Sequence, residues 1–309
     1  MKTSTAAFAF AVALASTPAY AVDWTKVTGK DVMMLYPGQS SFEWVMTPAD
    51  HSGGVKIREG KNCHECHTGE ENTMGDTLVS GKKNEPTPIA GKPGSVKATI
   101  KFAHDDKNLY VHLDFAPGVQ PNAKMDNDFE TKVTMILNDG GVPESNRFGC
   151  WGACHDDAQA MPSGTGSERT KYLGKTRQKV SRQGGGDALK SPEELAALKA
   201  SGYSLEYWQA RLNPGAKAVA AAGTIFDKRE EIKSPAVTAD ATLADGTWSV
   251  TLSRPLAAGA PYKDIAAGKT YTVGFAIHAG HTAHRFHYVS MERTMVLDSG
   301  AGDFVAAKQ

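Results

Sequence analysis

This chain has four cysteines, and all of them fall in two short patterns that close on Cys-His. The first, Cys63-His64-Glu65-Cys66-His67, is a regular C-x-x-C-H. Its two thiols can form thioethers to the vinyl groups of a porphyrin, and the histidine that follows sits beneath the iron. The second, Cys150-Trp151-Gly152-Ala153-Cys154-His155, carries one more residue between the cysteines. A chain with such patterns has to fold around a rigid covalent group, which constrains it more than any run of apolar residues does.

A C-x-x-C pair also serves as a redox dithiol or as half of a zinc site. His67 directly after Cys66, and the lack of a second C-x-x-C pair, favour haem. For Cys150 and Cys154 the competing reading is a disulfide. A bridge closing so short a loop gains little entropy, and His155 repeats the ending of the first motif. The longer spacer should bulge the attachment loop, which Gly149 and Gly152 can accommodate. The sequence thus calls for two covalently bound haem c groups. Cys63, Cys66, Cys150 and Cys154 carry them, and His67 and His155 are the proximal iron ligands.

Residues 1–21 read as a secretory signal: Lys2 supplies charge, Ala6 to Ala15 an apolar stretch, and Ala19-Tyr20-Ala21 a small-x-small cleavage site. That stretch is too short to span a bilayer, so the expectation is an exported, periplasmic protein with no membrane span. Lysine plus arginine balances aspartate plus glutamate at 34 each, which gives no reason to expect nucleic acid or an anionic membrane surface as partner. Redox partner proteins would then be recognised through local charged patches.

Along the chain, residues 22–92 read mostly as irregular structure around the first motif. From Ser95 the pattern turns to period two: Val96, Ala98, Ile100 and Phe102 alternate, as do Leu109, Val111, Leu113 and Phe115 after a turn at Asp105–Asn108. That spacing predicts a hairpin with one buried face. Further strands are expected at Lys132–Leu137, Trp248–Ser253, Tyr271–Ile277, Phe286–Met291 and Met295–Leu297. Between them, residues 156–230 read as a loop and helix insertion. Ser191, Pro192 and Glu194 there predict a capped helix ending at Gly202, and Leu205–Leu212 reads as a second helical or turn segment. The fold class is mainly β: a β-sandwich haem-binding domain over 93–309, preceded by an irregular N-terminal haem segment over 22–92.

Several short motifs together resemble a known group. They are Tyr36-Pro37-Gly38-Gln39-Ser40 with Glu43-Trp44, His51, Leu109-Tyr110-Val111, Gly149-Cys150-Trp151 through Asp157, and Met161-Pro162. Near the end come Gly274-Phe275-Ala276-Ile277-His278 and Arg285-Phe286-His287-Tyr288-Val289-Ser290. These look like the ethylbenzene-dehydrogenase-related haem-binding proteins, which share a domain with the γ subunits of periplasmic molybdenum dehydrogenases of the dimethyl sulfoxide reductase class. The resemblance implies a β-sandwich holding haem and an electron-transfer role. The γ subunits bind one non-covalent haem b through methionine and lysine, so their axial pair does not carry over to a chain with covalent motifs.

Each proximal histidine leaves the opposite iron face to be filled. His51, in a glycine-rich loop twelve residues before Cys63, is the candidate distal ligand of the first haem, with Met46 its local competitor. Of His278, His281, His284 and His287, the first ends a strand and the last lies near the start of the next, so His278 is the candidate for the second haem and His287 its alternate. His64, His104 and His112 read as surface or structural, Met135 as core, and Arg285 and Lys132 as candidate propionate partners. Three uses compete. The leading one is a dihaem electron relay between a respiratory donor, such as a membrane quinol-oxidising cytochrome, and a periplasmic reductase. The others are an enzyme with one open haem acting on a small oxyanion or peroxide, and a haem-based redox or gas sensor.

Overall fold

The computed structural model describes residues 22–40, 42–153, 172–180 and 188–309. Cys154 and His155, the signal-like residues 1–21 and Met161-Pro162 lie outside the described residues.

Among the described residues, thirteen strands form one continuous sheet that folds back on itself. In chain order they are β1 Lys30–Leu35, β2 Ser95–His104, β3 Asn108–Phe115, β4 Thr131–Asn138, β5 Leu205–Leu212, β6 Val219–Ile225, β7 Arg229–Glu231, β8 Thr238–Ala244, β9 Thr247–Pro255, β10 Tyr271–His278, β11 Tyr288–Val289, β12 Arg293–Leu297 and β13 Phe304–Lys308. The order across the sheet is β7-β6-β5-β4-β10-β11-β1-β2-β3-β9-β8. A second path, β10-β12-β13-β2, closes a ring of strands in its middle. The arm carrying β5 and β6 packs on the arm carrying β9 and β8, which makes the architecture sandwich-like.

The expected hairpin is β2 and β3, with Ala98 opposite Phe115 and His104 opposite Leu109. Its buried alternation continues in β9, where Trp248, Val250 and Leu252 face inward. These residues join Val133, Met135, Trp208, Val273, Phe275 and Ile277 in the core between the two arms. Each fully buried large side chain of this kind contributes about 1.5–3 kcal/mol through water exclusion.

Three expectations are corrected. Leu205–Leu212 is a central strand, not a helix or turn: it pairs with β4 along its length and with β6 on its other edge. The sheet therefore runs through the stretch read as a loop and helix insertion, whose described residues hold β5, β6 and the start of β7 as well as the α-helix Pro192–Ala200. That helix is capped as expected, with Ser191 and Glu194 in a reciprocal capping box. The N-terminal segment is, as expected, mostly irregular among its described residues, though not wholly so. It contributes β1, which sits between β11 and β2 inside the sheet, and four short helices: α1 Phe42–Val45, α2 Gly54–Arg58, α3 Cys63–His67 and α4 Glu71–Val79. Phe286–Met291 contains only the two-residue strand β11.

Candidate haem sites

The first motif is a single turn of helix. A turn this short does not hold by propensity alone, and here the flanking residues supply the missing partners. The Asn62 side chain accepts the Glu65 amide at 2.8 Å, and the Glu65 carboxylate accepts the Asn62 amide at 3.2 Å. Helical spacing then puts Cys63, Cys66 and His67 on one face. Cys63 is half-buried and Cys66 exposed.

That face looks into a cavity of about 1030 Å³ whose wall includes Cys63, Cys66, His67, His51, Trp44 and Trp151. His51 and His67 stand across it with ring centroids 5.8 Å apart and planes inclined by 44°. Two imidazoles bound to one metal through bonds of about 2 Å have centroids roughly 6 Å apart, so the pair is spaced for an iron between them. The outer nitrogen of each ring is already engaged. His51 Nδ1 donates to the Val45 carbonyl at 3.0 Å, and His67 Nδ1 donates to the Glu70 carboxylate at 2.8 Å. Acceptors on Nδ1 keep the proton there and leave the Nε2 lone pair for a metal. Burial holds His51 below the ordinary imidazole range and outweighs the Val45 carbonyl, which favours the charged ring.

The placement of His51 depends on Gly53. A Cβ at that position would come within 2.8 Å of the His51 ring. The indole Nε1 of Trp151 is buried in the cavity wall with no hydrogen-bond partner among the described residues. Such an orphaned donor is costly unless a ligand acceptor meets it, and a haem carries carboxylates and ring nitrogens. Thiols, two facing imidazoles, a mostly apolar wall and an orphaned donor together fit a covalently held haem. Met46 is not part of this wall; its carbonyl accepts from Arg58 at 2.6 Å.

Cys150 occupies a different setting. It lies in a 3₁₀ turn, Gly149–Gly152, behind the short helix α5, Pro143–Phe148. Gly149 has φ of +53° there, a conformation that favours glycine. Burial pushes the Cys150 thiol up to about 12. Its neighbours form a second apolar cluster on the outer face of β4, β5 and β10, with Ile136, Tyr203, Tyr207 and Ala276. Gly274 in β10 makes room for it, since a Cβ there would be 3.1 Å from Cys150 Sγ. Strand alternation puts Gly274, Ala276 and His278 on this same face.

The structure brings His278 and His287 together, with ring centroids 4.7 Å apart. His278 Nε2 and His287 Nδ1 both approach the His284 carbonyl, at 3.2 and 2.7 Å. Three other histidines have structural partners. His104 bonds Asp298 at 2.8 Å. His112 bonds Thr251 and Asp114 and stacks on Trp24. His281 bonds the Asp126 carbonyl at 2.8 Å. Neither candidate propionate partner is free for that role: Arg285 is paired with Glu85 inside the protein, and Lys132 with Asp126.

The comparisons with known proteins agree with this chemistry. The family model described as ethylbenzene dehydrogenase matches residues 222–290, which include the His278–His287 loop. Cytochrome c-552 of Stutzerimonas stutzeri is 32% identical over 299 residues, covering 96% of this chain and 93% of that protein. Cytochrome c-551 of Rhodocyclus tenuis is 26% identical over 289 residues, covering 94% and 100%. The chain belongs to the ethylbenzene-dehydrogenase-related cytochrome c family. A solved family 9 carbohydrate-binding module from Caldicellulosiruptor kristjanssonii, in complex with glucose, aligns with a TM-score of 0.31 at 12% identity over 63% of this chain and 66% of its own, too low to carry any argument.

As a member of this cytochrome family, the protein is a c-type electron carrier with covalently bound haem c. No helix among the described residues is long and apolar enough to cross a membrane. Sequence reasoning missed several residues of this cytochrome's first site, among them Trp44, Lys83 and Trp151, which line the cavity. Only Trp151 left a signal, because a large aromatic inside an attachment loop must be housed somewhere, and the loop's small neighbours cannot house it.

Proposed function

We propose that this cytochrome is a periplasmic dihaem protein that relays single electrons between a respiratory donor and a terminal oxidoreductase. The observation that supports this reading best is the facing pair of His51 and His67. An iron with imidazoles on both faces has no open position for substrate and changes little in geometry with oxidation state. In this reading Cys63 and Cys66 hold the first haem, with His67 proximal and His51 distal. Cys150, Cys154 and His155 hold the second, with His278 as its distal ligand and His287 as the alternate.

When bound, the haem supplies the one-electron couple. The chain's own part is to fix orientation and exclude water. Glu70 and the Val45 carbonyl set the tautomers of the two histidines, and the wall formed by Trp44, Met74 and Trp151 keeps the site largely apolar. We assign residues 22–92 as the segment carrying the first haem and 93–309 as the sandwich carrying the second. Export follows from the signal-like residues 1–21. The partners fitting this role are a membrane quinol-oxidising cytochrome and a periplasmic reductase, docked through small transient interfaces.

The test is the purified holoprotein. Its mass should exceed that of the mature chain by two haems. Its absorption and electron paramagnetic resonance spectra should be low-spin at both irons and unchanged by carbon monoxide or nitrite. A mass gain of one haem would refute the dihaem assignment. A high-spin fraction that binds those ligands would replace the relay with an open-site enzyme or gas sensor.

A further inference from the structure

Glu292, just before β12, is only 4% exposed, yet it forms no side-chain ion pair among the described residues. One carboxylate oxygen, Oε1, accepts the backbone amide of His64 at 3.0 Å, inside the first attachment motif. The other, Oε2, is buried without a hydrogen-bond partner among the described residues. On its far side the Glu292 backbone presses on the second motif: a Cβ on Gly149, the residue before Cys150, would stand 3.1 Å from Glu292 Cα. Met291, its neighbour, lines the first haem cavity. A buried acid thus sits at the seam between the two attachment motifs, touching no candidate axial ligand.

The groups facing it compensate its charge only in part. From α3 come Cys63 and His64. From the C-terminal strands come Arg293, whose guanidinium is turned to the Glu292 carbonyl at 2.8 Å, and Asp303, which accepts the Thr294 amide and hydroxyl. The turn at Gly149–Gly152 offers it backbone. Burial pushes the Glu292 carboxyl up to about 7, against the His64 amide and Arg293, which favour the anion.

A group balanced in this way responds to a charge added nearby. An electron arriving at the adjacent haem makes the anion less favourable, and by linkage the proton makes the electron more favourable. We propose that Glu292 is the proton-coupling residue of this cytochrome, taking up one proton when the haem held at Cys63 and Cys66 is reduced. The balance is simple: one electron from the redox donor converts ferric to ferrous iron, one proton from water forms an O–H bond at Oε2, and both leave on oxidation. This rests on the reading of Cys63 and Cys66 as a haem site.

The experiment is potentiometric titration of the full holoprotein at pH values from 5 to 9, for wild type, Glu292→Gln and Glu292→Asp. Gln keeps the acceptor for the His64 amide but cannot titrate; Asp restores the acid. In wild type one midpoint potential should fall with pH, approaching a tenfold change in the reduction equilibrium per pH unit, about 59 mV. Gln should flatten that slope, and Asp should restore part of it. Redox-difference infrared spectroscopy of wild type gives an independent reading: a protonated carboxyl band should appear on reduction. A flat wild-type profile, a slope unchanged in Glu292→Gln, or no carboxyl band would overturn the coupling while leaving the site reading intact. A Cys63–Cys66 peptide without a haem adduct in mass spectrometry would overturn the site reading, and the coupling with it.

Discussion

Among single residues, the one that aims His51 is not a ligand at all. Gly53 leaves space where a Cβ would meet the His51 ring at 2.8 Å, and its φ of −68° is one that any residue adopts. Alanine there is therefore acceptable to the backbone and objectionable only to the ring. The expected outcome of Gly53→Ala is a His51 displaced from the cavity, with both thioether attachments unaffected. Titration with carbon monoxide checks it: the variant should bind the gas at one haem, where wild type binds none, and haem content by mass should be unchanged. Equal spectra for variant and wild type would remove His51 from the iron. The same residue-level view explains why Trp151 matters to both sites, since it belongs to the second motif by sequence and to the first cavity by position.

Among the elements, α3 is the most dependent on its cap. Its one turn has few internal bonds, so the Asn62–Glu65 pair supplies much of what holds it. Asn62→Ala should cost about 1 kcal/mol. The cost should appear as a lower thermal midpoint and, during maturation, as a smaller fraction of chains with haem on Cys63 and Cys66, readable by mass spectrometry. An unchanged midpoint and full haem loading would show that the haem alone orders the turn. Elements of this kind were readable in advance where local chemistry makes them. The Ser191–Glu194 box announces its helix, and strict alternation announces β2, β3 and β9. β5 was not readable, because Leu205–Leu212 is buried on both faces and shows no period of two. β1 was missed for a related reason: it is short, and Met33 to Leu35 form an unbroken apolar run. The facing of His51 and His67 was anticipated from spacing, whereas Glu292 had no local signal at all. Its environment is assembled from α3, the Gly149 turn and β12, which only the closed sheet brings together.

At the scale of the whole molecule, the N-terminal segment with the first Cys-His motif and the C-terminal histidine loop are locked by one buried cluster. Arg285 donates to both Glu85 oxygens, at 3.1 and 2.6 Å, and to Thr87 at 2.7 Å. The Tyr36 hydroxyl donates to the same Glu85 carboxylate. Glu85 is wholly buried and Arg285 only 2% exposed. Burial alone would raise the Glu85 carboxyl, but the bonds from Arg285 and Tyr36 outweigh it and hold the group below its usual range. A carboxyl depressed in the folded state contributes stability that is present above its unfolded value and lost as pH falls through the folded one. Glu85→Gln strands the Arg285 charge in the interior, so it should cost about 3–5 kcal/mol at pH 7. On acidification below the ordinary glutamate range, wild type should lose stability toward the variant and the gap should narrow. Denaturant unfolding of both proteins at pH 7 and at pH 3 checks it. Because the cluster joins residues two hundred positions apart, the variant should also loosen the 279–287 loop relative to the first haem, seen as faster amide exchange in that loop. A gap that is constant with pH would mean that the pair acts by shape and packing, and that the N-terminal segment and the C-terminal loop are held together elsewhere along the β1 seam.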